Sequence, residues 1–186
     1  MTRFRRSETV TLHRSAWLTL SSHTLVDEGG QPHDHPALTV EMSDWVNVLA
    51  VTESHEIILV RQHRFGTQQD SLEIPGGMID PGEDPLASAR RELAEETGYT
   101  ADRWEPFGWS HPNPALQSNR LYTFVARDAR RTMETALDPL EDCRVELLPL
   151  AKLPALLASG QIRHALVLVA LYQLLLAERA APVHAL

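Results

Sequence analysis

The chain has 186 residues, 43% apolar and 23% charged, which suits one domain with a substantial core, or a domain plus an appendage, and argues against disorder. Its 25 Asp and Glu outweigh 17 Lys and Arg for a formal charge of −8, so a general nucleic-acid binder with a basic face is not expected. A single cysteine, Cys143, excludes an intrachain disulfide and a cysteine-built metal centre, and reads as a small buried side chain.

Met1–Trp17 lacks the apolar centre of a secretory leader, and Arg3, Arg5, Arg6 and Arg14 suit a basic strand or arm. Val10–His13, Trp17–Leu20 and Thr24–Val26 read as short strands, followed by a turn at Glu28-Gly-Gly. His33 and His35 sit between Pro32 and Pro36 without a third ligand nearby, so they read as a solvated turn. Val46–Thr52 and Ile57–Arg61 form a hairpin candidate, and Leu72-Glu-Ile-Pro-Gly-Gly a short strand entering a glycine turn. Pro85–Thr97 reads as a helix. Trp104–Trp109 and Arg120–Ala126 read as strands flanking a loop, with Trp104 and Trp109 placed in packing. Val145–Leu148 is one more strand, and Leu153–Ala158 and Ile162–Glu178 are helices broken at Ser159-Gly160. The last helix is apolar almost all round, which fits a core helix or a subunit contact. Its apolar run, Ala165–Ala177, is far short of the ~20 residues of a membrane span, so no membrane partner and a cytoplasmic location are expected.

Helix and strand alternate irregularly, unlike a doubly wound sheet. Glycine-rich phosphate loops, zinc-protease pairs and nucleophile elbows do not occur. Chemistry concentrates instead in Gly77–Tyr99, which reads GMIDPGEDPLASARRELAEETGY. Asp84 is a good N-cap, Pro85 fits the first helical position, and Gly98 ends the helix. Leu86, Ala89, Leu93 and Thr97 share one side of the helix and form the packed face. Glu92, Glu95 and Glu96 gather on another, expected to be exposed. Like charges at these spacings destabilise a helix by about 0.2–0.5 kcal/mol per pair, and the dipole at a helix C-terminus opposes them too. A solvated acidic face is one reading. The other is an all-oxygen site for Mg²⁺ or Mn²⁺, completed by a backbone carbonyl of the glycine turn and steadied by Arg91.

The spacing G-x5-E-x7-R-E-U-x-E-E-x-G-U, where U is a bulky apolar residue, is matched by Gly77, Glu83, Arg91, Glu92, Leu93, Glu95, Glu96, Gly98 and Tyr99. This segment resembles the Nudix box. The resemblance implies an α/β fold: a Nudix-type α/β/α sandwich around a mixed β-sheet, over residues 43–180. Residues 1–42 would be an N-terminal β-rich extension and possible dimerisation region, making a homodimer. It also implies a Mg²⁺- or Mn²⁺-dependent hydrolase cleaving a nucleoside diphosphate linked to another moiety by water attack at phosphorus. Glu92 and Glu96 would be the principal metal ligands, helped by Glu95 and the carbonyl of Gly76. Glu83 and Arg91 would hold loop and helix together.

Val60-Arg-Gln-His-Arg64, the stretch Leu72–Asp80 and Pro114 are similar to the ADP-ribose and nucleotide-sugar pyrophosphatase branch, in which Arg64 and Glu73 would line the substrate pocket. That branch places a general-base glutamate in the loop after the proline. Here Gln117 and Asn119 stand in its place, and neither amide accepts a proton at neutral pH. Both are assigned to hydrogen bonds with a sugar or base. The general base then falls to a box acid, to Glu141 or Glu146, or to His111. Hydrolysis of nucleoside triphosphates, dinucleoside polyphosphates or coenzyme A, and a non-catalytic nucleotide-sensing module, remain as alternatives.

Overall fold

The computed structural model describes residues 4–137 and 142–180, and these divide into two units. The smaller unit comprises residues up to Asp44 together with Ser110–Leu121. Its strands β1 (Arg5–Arg14), β2 (Leu18–Val26) and β3 (Ala37–Met42) form an antiparallel sheet in that order. The two short strands expected around residue 20 are one continuous strand. The polar residues that suggested a break, Ser21 to His23, lie mid-strand because His23 is buried with both ring nitrogens partnered. They meet Thr9 Oγ1 at 2.9 Å and Thr39 Oγ1 at 2.7 Å, which satisfies a polar group that would otherwise be costly to bury. The loop 110–120 is tied to this unit by Val40 N–H donating to the Leu116 carbonyl and by Arg120 N–H donating to Asp44 Oδ1. His33 and His35 are exposed in a turn, as expected.

The larger unit contains β4 (Trp45–Thr52), β5 (Glu56–Arg64), β6 (Gln69–Glu73), β7 (Gly76–Met78), α1 (Pro85–Thr97) and β8 (Tyr99–Thr100), then β9 (Arg103–Ser110), β10 (Leu121–Arg131), β11 (Arg144–Pro149), α2 (Leu153–Ala158) and α3 (Ala165–Ala180). The long sheet runs β11-β5-β4-β10-β8, with β6 on β5, β7 on β4 and β9 on β10. Strand alternation sorts its side chains into two cores. Val46, Val48, Ala50 and Ile58 pack with Ala89 and Leu93 of α1. Leu49, Ile57 and Leu59 face the other way and pack with Leu153 and Leu157 of α2 and with Val167, Leu171 and Leu174 of α3. The result is an α/β/α sandwich, as the family resemblance implies. A leucine as fully buried as Leu93 contributes about 1.5–3 kcal/mol.

One detail of the register positions the site. Beyond the hairpin, β4 and β5 part. β6 pairs with β5 on the side opposite β11, and β7 pairs with β4 at Trp45–Asn47. Ile74-Pro75 therefore carries the chain from one parted strand to the other, and the glycine turn follows at once.

Two expectations need correction here. Helix α3 is apolar but not buried all round: Val169, Tyr172 and Leu176 are about half exposed or more, so the core-helix reading holds for one face only. Trp109 is also exposed, whereas Trp104 packs against the α1 core with its indole N–H on the Ala101 carbonyl.

Candidate active site

Helix α1 begins and ends where its capping residues dictate. Asp84 Oδ1 accepts from Leu86 and Ala87 N–H at 3.0 and 3.2 Å, Pro85 follows, and Gly98 closes the helix with φ 74°. Gly98 has a second reason to be glycine, since a Cβ there would run into the Met133 carbonyl.

Arg91 organises the segment. Its Nε and Nη2 each donate to a different oxygen of Glu83 at 3.0 Å, a bidentate pair that fixes the loop to the helix. Nη2 also donates to the Met78 carbonyl and Ser88 Oγ, and Nη1 donates to Glu92 Oε1 at 2.9 Å and Glu95 Oε2 at 3.1 Å. The hydrogen bond from Arg91 holds the Glu83 carboxyl down to about 2 from its ordinary 4.5. A depressed carboxylate stabilises the fold above its unfolded pKa, and that contribution fades as pH falls through the folded value. Wild type is therefore expected to be more stable than Glu83→Gln above pH 4.5, the gap in urea midpoint closing between pH 4.5 and about 2. A gap that did not change across that window would show the pair to be unimportant.

Glu92 and Glu96 do not lie on an exposed helix face, contrary to expectation: they are 8% and 2% exposed, and only Glu95 reaches solvent substantially. The turn and β11 close over them. Gly77 faces α1, and a Cβ there would stand 2.5 to 2.8 Å from the Glu92 carboxylate, so the missing side chain is the space that carboxylate occupies. Gly76 N–H donates to Glu96 Oε2 at 3.0 Å. Cys143, buried as expected, lies with its thiol 3.7 Å from Glu96 Oε1.

Arg64 joins the same group of charges. It makes a bidentate pair with Glu73 at 2.9 and 2.6 Å, and its positive charge is felt by Glu96 and Cys143. Burial pushes the Glu73 carboxyl up, but the hydrogen bond and charge of Arg64 outweigh it and leave the group below its ordinary value. Four carboxylates are thus ion-paired, Glu73 with Arg64 and Glu83, Glu92 and Glu95 with Arg91, and the buried Glu96 carboxylate lies beside them. The donors are hard oxygens, the chemistry that Mg²⁺ and Mn²⁺ prefer. Among the described residues no three His, Cys, Asp or Glu side chains already converge as a metal centre: Arg91 holds Glu92 and Glu95, and Glu96 turns to Gly76 and Cys143.

The other predicted residues fall elsewhere. Gln117 and Asn119 belong to the smaller unit. Gln117 Nε2 lies 3.7 Å from the Met42 thioether, and Asn119 is 2% exposed with neither amide atom partnered. His111 places Nδ1 3.3 Å from the Asn119 carbonyl. Glu146 sits opposite Leu59 on β5, hence on the α2/α3 face rather than that of α1, and pairs with Arg61 at 2.6 Å. Glu141 lies outside the described residues. Sequence reasoning missed the roles of Ser88, the Met78 carbonyl and Cys143. Only Ser88, one turn before Arg91, carried a local signal.

Residues 44–171 match the NUDIX domain family model. The chain belongs to the Nudix family. Among curated relatives, an ADP-ribose pyrophosphatase from Bacillus subtilis (strain 168) is 39% identical over 83 residues, 45% of this chain and 45% of that protein. A methanol dehydrogenase activator from Bacillus methanolicus is 34% identical over 105 residues, 56% of each chain. This Nudix chain thus spans about half the length of the curated relatives it matches. A crystal structure of an ADP compounds hydrolase superposes with a TM-score of 0.81 over 95% of both chains at 24% identity, which establishes the shared Nudix fold.

Proposed function

We propose that this Nudix chain is a Mg²⁺- or Mn²⁺-dependent pyrophosphohydrolase of nucleoside diphosphate derivatives, acting on ADP-ribose or a nucleotide sugar. The observation that carries it is the packing of Glu92 and Glu96, buried against a glycine turn beside Glu83 and Glu95, with Arg91 paired to three of these four acids. Excess negative charge in a half-buried oxygen cluster is stabilised by a divalent ion. Glu92 and Glu96 would hold it, with Glu95 and the Gly76 carbonyl assisting. When bound, Mg²⁺ or Mn²⁺ neutralises diphosphate charge and activates water for attack at phosphorus.

The protein groups then have separable tasks. Glu83 and Arg91 fix the turn to the helix, so the carboxylates keep their positions as charge shifts during the reaction. Arg64, half exposed and anchored by buried Glu73, presents a fixed positive charge suited to a phosphate oxygen. Gln117 and Asn119 are assigned to the sugar or base, and the unpartnered amide of Asn119 supports a polar partner for it. The name of the Bacillus subtilis relative supports ADP-ribose as the first substrate to try. A small-molecule substrate, a homodimer formed through the β-rich unit and a cytoplasmic location complete the proposal. The fully exposed strand β1 supports the dimer, and no helix among the described residues is long and apolar enough to cross a membrane.

Incubation with Mg²⁺ and a panel of diphosphate compounds tests this. AMP and ribose 5-phosphate from ADP-ribose are expected. Pyrophosphate release from nucleoside triphosphates as the dominant reaction, or binding without turnover, would contradict it.

A further inference from the structure

Glu96 is reached from outside its own helix by a contact from each side in sequence. Gly76 N–H, at the start of β7, donates to Oε2 at 3.0 Å. The Cys143 thiol, just before β11, approaches Oε1 at 3.7 Å, a normal S–H···O separation for a sulfur donor. The two donors grip one oxygen each, and so set the rotation of the carboxylate about its terminal bond. That torsion is intrinsically broad for glutamate, so its orientation is decided by such partners. The carboxylate is 2% exposed, and water cannot replace a donor that is lost.

We infer that Cys143 is a positioning residue: its thiol orients the Glu96 carboxylate so that it presents its oxygens as a divalent-metal ligand. This rests on the metal-binding role proposed above for Glu96. A carboxylate oxygen has two lone pairs, so one that accepts a hydrogen bond still has a direction in which to ligate. Arg64 supplies the competing pull. Its positive charge acts on Glu96, so a carboxylate released by the thiol is free to turn toward that guanidinium. Alanine at 143 removes this donor from Oε1. Serine keeps an O–H donor in nearly the same volume.

The test measures Mn²⁺ affinity by electron paramagnetic resonance on the full chain, with no substrate present, beside thermal unfolding and the KM and kcat of turnover. Cys143→Ala is expected to weaken Mn²⁺ about tenfold and to lower kcat with little change in KM. Cys143→Ser should stay within about threefold of wild type on both. Losses that were equal in the two variants and tracked their melting temperatures would mark Cys143 as core packing only and overturn the inference. Wild-type affinity in Cys143→Ala would overturn it as well. Absence of Mn²⁺ binding in wild type would instead bring down the metal role of Glu96, and the inference with it.

Discussion

Glu96→Gln is expected to reduce turnover by about 10³-fold and to abolish measurable Mn²⁺ binding while the protein stays folded. The side chain is 2% exposed, accepts Gly76 N–H on one oxygen and faces the Cys143 thiol with the other. Glutamine keeps the size and one acceptor oxygen, so no cavity forms. Its NH₂ group must point at one of two donors, which costs a hydrogen bond of about 1–2 kcal/mol. The stability change is therefore modest, whereas the lost charge removes a hard anionic ligand outright. Turnover near the wild-type rate at saturating Mg²⁺ would refute the metal assignment. Circular dichroism and a urea midpoint separate the two effects, since a merely structural acid would lose both together.

The second large effect is expected at the paired glycines, where adjacent substitutions should fail in different ways. The atoms nearest an alanine Cβ at Gly77 would be the end of the Glu92 side chain, at 2.5 to 2.8 Å. That side chain can swing aside, so Gly77→Ala should fold. Its Glu92 carboxylate is then displaced from Arg91 Nη1, and a misplacement of about 1 Å at a reacting centre costs on the order of 100-fold in rate. At Gly76 the added Cβ collides with the Val46 backbone carbonyl, where β7 pairs with β4, and backbone in the middle of a sheet cannot move aside. Gly76→Ala should destabilise by about 1–3 kcal/mol or more. Full turnover in Gly77→Ala, or unchanged stability in Gly76→Ala, would contradict the packing described. Urea titration and initial rates on both variants read the difference.

Much of the box was legible because its punctuation is local. Asp84, Pro85 and Gly98 mark the ends of α1 where the structure has them, and the Arg91–Glu95 spacing puts those two side chains within reach of each other. Depth was not legible. Helical periodicity assigns Glu92 and Glu96 to a face but cannot say what covers it, and here the cover is a turn 20 residues back and a cysteine 47 residues on. The same limit explains Glu146. Its acidity was visible, but the face it occupies follows from its register opposite Leu59 on a distant strand.

Polarity misled in the opposite sense at β2. Ser21 to His23 looked like a gap between strands because a lone polar stretch carries no sign of its cross-strand partners, Thr9 and Thr39. The strand β3 at Ala37–Met42 was overlooked behind Pro32 and Pro36, although its apolar residues alternate. Trp109 was placed in packing, with Trp104, by strand alternation. Alternation identifies a shared face, but a strand with a poorly covered side, as β9 is, leaves such a residue in solvent.

Arg91 now holds Glu92 and Glu95, Gly76 and Cys143 hold Glu96, and a divalent ion should regather these carboxylates. Diffraction from crystals grown with Mn²⁺, recorded at the manganese absorption edge, tests this most directly. The prediction is an anomalous peak about 2.0–2.3 Å from oxygens of Glu92 and Glu96, with the Gly76 carbonyl beside it. A map without a peak there, in which Glu92 and Glu95 remain on Arg91 and Glu96 on Gly76 and Cys143, would contradict the account.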